Sequence, residues 1–335
     1  MQSFLLFILI HITLCQGFKI PLKKTQFNMF NVPVLLGSGS GNGNGIQEEL
    51  TLDLTENVIA VYGNADYQPQ KSQTSMPLTI DEFNDMYYDR LVFKYNKDVV
   101  FNSVPIEQRM YTSSGTHGYF GFVYQNYSLL HTVFTTLNTK KLFYIDTHAL
   151  ELVIGEYPPN QHKAINRTCN MVHMLNSHYA CHLNSAYFKN AIKNEYIHYT
   201  INTNITFCTS KNAIYTNDEF ANLLYKNYLI EQIKEGTCEE IHSDSKLKFV
   251  RCKYNYDYKH DTRLTDITFI LGKFSFKLRR DELFALGSDN KLYFLIVNNP
   301  GYSGWFFGYP FFNKFITVFD IERELISFVP VAQDD

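Results

Sequence analysis

The chain's six cysteines and eleven histidines hold most of its chemical range, as metal ligands, nucleophile and base, or disulfides. No C-x-x-C pair is present, so no metal site and no cofactor is expected. Cys208 beside a histidine would make a cysteine nucleophile, and His117, His178 and His182 are the candidates. No spacing orders them into a dyad. The tract from Gly37 to Gly45, GSGSGNGNG, resembles a phosphate loop in composition, but the Lys-Ser/Thr that should follow is missing, and it reads as a flexible loop. Asn126, Asn166 and Asn204 each begin an Asn-x-Ser/Thr triplet and are glycosylation candidates.

The compartment decides what the cysteines do. Residues 4–14 form a short apolar run, and Cys15 and Gly17 are small residues at −3 and −1 of a cut before Phe18. This is the pattern of a secretory signal peptide, 1–17, although no Lys or Arg precedes the run. A membrane anchor would need about 20 apolar residues. The mature chain is expected to be secreted, extracellular or in the secretory lumen, with no membrane association. Five cysteines then remain. The local pairs Cys169–Cys181 and Cys238–Cys252 are the simplest, other connectivities stay open, and Cys208 is left over.

The elements that must position these groups are mostly strands. Leu50, Leu52 and Leu54 alternate with polar residues, and Val58 to Val61 is a buried run. Residues 119–124, 141–145, 150–154 and 266–278 continue the pattern. Asp218 to Ile233 is the best helix, with Asn217 as N-cap. The 24 Tyr and 28 Phe suit a β-rich protein, and 335 residues suffice for two domains. A net charge of −3 gives no reason to expect a nucleic-acid partner. No short internal repeat is visible.

From Trp305 to Ala332 the chain reads WFFGYPFFNKFITVFDIERELISFVPVA. This resembles, without a gap, the C-terminal signature of pepsin-like aspartic peptidases, with Trp305, Gly308, Phe311, Thr317 to Asp320, Phe328 and Pro330 in register. Residues 266–278 resemble the family's D-I-x-F hairpin. Tyr111 to Phe122 resembles its flap, and Phe18 to Lys24 the opening of its propeptide. The resemblance implies an all-β, bilobal, pepsin-like fold, with an N-terminal lobe over 18–165 carrying the flap and a C-terminal lobe over 166–335. The N-terminal lobe should be reduced, because the stretch from Tyr127 to Lys140 is short.

The family's chemistry uses two Asp-Thr-Gly loops whose carboxylates share a proton around one water. Aligned to it, Asp53 takes the place of the first Asp, followed by Leu54-Thr55-Glu56-Asn57 in place of Thr-Gly-Ser-Ser. Cys208 takes the place of the second, with Thr209 retained and Ser210 for Gly. Tyr111, Ser113 and Thr209 fall at substrate-binding positions, and Tyr309 replaces the Asp after Gly308. Cys252 lies where the family has the first Cys of a C-lobe disulfide, and Cys238 is the substitute partner. A thiol, with an ordinary pKa of about 8.5, cannot share a proton with a carboxylate. The resemblance therefore implies a non-catalytic pseudopeptidase binding an extended peptide or protein in its interlobe cleft. The alternatives are an active aspartic endopeptidase with an atypical dyad and a thiol-bearing interaction protein. Oligomeric state is left open.

Overall fold

The computed structural model describes residues 17–38, 45–78, 85–110, 116–172, 179–243, 246–300 and 304–331. Residues 1–16 of the expected signal peptide, the middle of the Gly-rich tract and residues 111–115 of the expected flap, with Tyr111 and Ser113, lie outside them. The chain divides into two units. One holds the residues up to Lys24, Phe30–His162 and those from Phe315 on; the other holds Thr25–Met29 and Lys163–Lys314.

The first unit opens with β1 (Phe18–Pro21) and β2 (Lys23–Lys24), followed by β3 (Phe30–Leu36), β4 (Ile46–Asp53), β5 (Ile59–Tyr62) and β6 (Met76–Pro77). Next come β7 (Met86–Phe93), β8 (Asn96–Arg109), β9 (Gly118–Gly121), helix α1 (Leu129–Leu137), β10 (Leu142–Asp146) and β11 (Glu151–Ile154). Strands β2 to β9 form one sheet in the order β2-β3-β4-β9-β5-β8-β7-β6. In β4, Leu50 and Leu52 are fully buried, as the sequence pattern requires, but Thr51 and Asp53, which alternate with them, are buried too, so the end of this strand is covered on both faces. Helix α1 starts where Ser128 accepts the His131 amide, and it stops where Asn138 turns left-handed at φ 47°.

The second unit holds β12 (Thr168–Asn170), β13 (Ala180–Lys189), β14 (Tyr196–Phe207), β15 (Ile214–Thr216), α2 (Asp218–Tyr228), α3 (Ile230–Lys234), β16 (Cys238–His242) and β17 (Lys248–Cys252). It continues with β18 (Ile267–Leu271), β19 (Phe274–Leu278), β20 (Phe284–Leu286), β21 (Leu292–Phe294), β22 (Ile296–Asn298), β23 (Trp305–Phe307) and α4 (Tyr309–Phe312). The hairpin read from residues 266–278 is β18–β19, and Phe274, Phe276 and Leu278 turn inward while Ser275 and Lys277 stay exposed. Asn217 caps α2 by accepting the Phe220 amide at 3.0 Å. The expected single helix to Ile233 is divided, because Leu229 leaves helical dihedrals at φ −110°, ψ 5°. Phe220 packs on Trp305 at 5.0 Å between ring centroids, and burying a side chain of that size contributes about 3 kcal/mol.

Two disulfides form, Cys169–Cys181 and Cys238–Cys252. The second joins directly opposed residues of β16 and β17. Cys208 is in neither.

The last two strands, β24 (Phe315–Asp320) and β25 (Leu325–Pro330), do not stay with the second half. The sequence reading assigned them to 166–335, but β24 pairs with β10, from Leu142↔Asp320 to Ile145↔Thr317, and so completes the run β1-β11-β10-β24-β25. Backbone pairing and the Phe143–Phe319 stack at 4.8 Å outweigh chain position.

Between β17 and β18 the second unit is irregular, and Asp261 ties it down. Its carboxylate accepts from Tyr256 Oη at 2.8 Å, Gln232 Nε2 at 3.0 Å and Arg263 Nη2 at 2.8 Å. Burial pushes Asp261 up, but these bonds outweigh it and hold the carboxyl well below the usual carboxylate range. A depressed folded-state pKa gives stability that is present above the unfolded value and is lost as pH falls through the folded one. Thermal melts from pH 7 to pH 2 should therefore show Asp261→Asn less stable than wild type at pH 7. The gap should begin to narrow below about pH 4 and keep narrowing as pH falls towards the folded value. A gap independent of pH would refute this.

Candidate functional site

In the first unit, β4 and β5 are consecutive in the chain but not adjacent: β9 lies between them, parallel to β4 and antiparallel to β5. The loop leaving β4 begins at Asp53, which is 4% exposed and paired with Gly121. Thr55 locks its carboxylate, with the amide donating to Oδ1 at 2.7 Å and the hydroxyl at 2.6 Å. Leu54 is fully buried. Glu56 forms a two-bond pair with Arg109, at 3.0 and 2.9 Å, and Arg109 also grips Glu107. Arg109 is the last residue of β8, so this clamp ties the end of β8 to the Asp53 loop. Gly121 must be glycine: a Cβ there would meet Val58 O at 2.2 Å and Glu56 O at 2.8 Å.

The second unit repeats this arrangement. Strand β23 lies between β14 and β15, parallel to the first and antiparallel to the second, and β15 pairs with β22 as β5 does with β8. The register repeats too. Ile59 faces Phe120, the residue before Gly121, and Ile214 faces Phe307, the residue before Gly308. A Cβ on Gly308 would meet Lys211 O at 2.3 Å and Ala213 O at 2.5 Å. Those carbonyls are three and five residues after Cys208, as Glu56 and Val58 are three and five after Asp53. Asp53 and Cys208 thus occupy the same position in two copies of one motif.

Cys208 is fully buried, its amide bonds to Phe307 O at 3.0 Å, and its Sγ lies 3.2 Å from Ser210 Oγ. The hydroxyl two residues on thus touches the side chain in both copies. Thr209 is 1% exposed. Lys211, in the place of Glu56, lies over the rings of Tyr215 and Phe306. Burial, with Cys208 nearby, pushes the Tyr215 phenol up to about 12.

No family model and no curated protein sequence matches the chain. Solved structures do. The aspartic proteinase from Irpex lacteus is 13% identical, with a TM-score of 0.68 over 94% of this chain and 98% of that one. The basic 7S globulin from soybean is 10% identical, with a TM-score of 0.68 over 95% and 98%. The chain has a pepsin-like fold.

Within this pepsin-like fold, the structure gives Asp53, Cys208 and Thr209 defined places, while Tyr111 and Ser113 lie outside the described residues. Three features escaped the sequence. The Glu56–Arg109 clamp spans 53 residues and carries no local signal. Glu48, whose side chain is fully buried, accepts the Tyr67 amide at 2.6 Å and sits 2.9 Å from His117 Nδ1. In the second unit, a cavity of about 260 Å³ opens beside Asn212, four residues after Cys208. Phe27, Leu286 and Tyr293 line it, and Asp289 stands among them. Phe27 and Leu286 are exposed there, which only the folded chain reveals. Among the described residues no group of His, Cys, Asp and Glu could hold a metal, and no helix is long and apolar enough to cross a membrane.

Proposed function

We propose that the chain is a divergent, exported member of the pepsin-like family that binds an extended polypeptide and does not cut it. One observation carries this reading. The motif that holds Asp53 recurs in the second unit with Cys208 in the same position. Amide hydrolysis of the aspartic type needs an acid there, and a buried thiol against a serine hydroxyl neither shares a proton with Asp53 nor polarises a carbonyl. The cavity beside Asn212 supports binding, since it offers an apolar wall suited to an apolar side chain of an extended ligand. Two disulfides are compatible with an oxidising compartment.

Purified exported protein mixed with denatured globin at pH 3–5 should leave it intact while retaining it on the immobilised protein. Pepstatin-sensitive cleavage would establish instead an endopeptidase with an atypical dyad. Globin that is neither cut nor retained would count against polypeptide binding.

A further inference from the structure

Asn166 differs from the other two glycosylation candidates in what surrounds it. Asn126 is exposed, but the hydroxyl of its sequon serine, Ser128, is buried and accepts both the His131 and Gln125 amides at 3.1 Å. Asn204 is half-buried in β14, paired across to His182. Asn166 is exposed on a turn closed by the Arg167 amide on Ala164 O at 2.8 Å. It also lines an open groove of about 810 Å³, within the range of sites that enclose a small ligand.

The groove suits a sugar. Ile165, 76% exposed, and Val172 give apolar surface for the C–H faces of a pyranose and for an acetamido methyl. Asn170, His182 and Lys273 bring polar groups to the same groove for hydroxyls and carbonyl. Its wall is stiff, because Cys169–Cys181 joins β12 to β13 and the Val172 amide bonds to Ala180 O at 2.9 Å.

We propose that Asn166 carries an N-linked glycan whose first sugars lie in this groove. This rests on export, not on the binding reading above. The donor is a lipid diphosphate-linked oligosaccharide. A bond forms between Asn166 Nδ2 and C1 of the first N-acetylglucosamine, and the C1–O bond to the diphosphate breaks. The lipid diphosphate leaves with the electron pair, and one amide proton passes to a base.

The test enforces export by secreting the chain from a eukaryotic host behind a foreign signal peptide. Glycopeptide mass spectrometry should find Asn166 occupied, and Asn166→Gln and Thr168→Ala should lose the same mass. Diethylpyrocarbonate should label His182 several-fold more slowly in the glycosylated protein. Trimming the folded protein with an endoglycosidase that leaves one sugar should keep most of that protection. Complete removal with an amidase, which leaves Asp at 166, should abolish it, so that no variant needs to fold. An unmodified Asn166 in exported protein, sugar on Asn204 or Asn126 alone, or equal His182 labelling with and without sugar would each overturn the proposal.

Discussion

Gly308→Ala should lower the stability of the second unit by about 3 kcal/mol, while Gly63→Ala should change that of the first by less than about 0.5 kcal/mol. The contrast is steric. An added methyl at 308 would sit 2.3 Å from Lys211 O and 2.5 Å from Ala213 O, both backbone atoms that move only with their loop. At 63 it would meet nothing within 4 Å. For a unit of this size the loss corresponds to a fall in Tm of roughly 6–12 °C. Gly121→Ala should do the same to the first unit, where Val58 O lies 2.2 Å from the added atom. The two variants probe one geometry in two places, so differential scanning calorimetry that found Gly308→Ala as stable as Gly63→Ala would contradict the register on which the equivalence of Asp53 and Cys208 rests.

Cys208→Asp, even combined with Leu54-Thr55-Glu56-Asn57→Thr-Gly-Ser-Ser, should leave globin uncut. It should also destabilise the protein by about 2–4 kcal/mol at pH 7. Position 208 is fully buried, and its sulfur lies 3.2 Å from Ser210 Oγ. A carboxylate placed there loses hydration, so its folded pKa rises above the unfolded value of about 4. The sign follows from that. Below pH 4 the group is neutral in both states and the variant should approach wild type. The penalty should grow as pH rises through the unfolded pKa towards the folded one. Melts at pH 3 and pH 7 read this directly, and Cys208→Ser gives the mild reference. On the non-catalytic reading proposed above, cleavage should be absent because the departures from the family pattern are distributed: Tyr309 stands after Gly308, and the loop change removes Glu56 and breaks the clamp to Arg109. Robust, pepstatin-sensitive cleavage by the combined variant would refute distributed decay.

What the sequence showed, and what it hid, divides along the range of the forces involved. Strand alternation in β19, the Asn217 cap and both disulfides depend on neighbours close in the chain, and all were readable. The destination of residues 315–330 was not, because β24 pairs with β10 across about 170 residues of sequence. The duplication was invisible for another reason. It resides in strand order and in two glycines facing carbonyls at matching offsets, while the side chains have diverged to Glu56 in one copy and Lys211 in the other. At the site, position gave Asp53 and Cys208 through resemblance, but burial, the Thr55 and Ser210 contacts and the Arg109 clamp required coordinates.

The first strand has a bearing on how such a protein is governed. Strand β1 is zipped to β11 from Phe18↔Ile154 to Pro21↔Glu151, and Lys19 pairs with Glu151. Only Leu22, itself buried, separates it from β2 in the next sheet. Excising this strand would strip the edge from its own sheet and cut the chain just before the edge strand of the next, so scissors are a poor switch here.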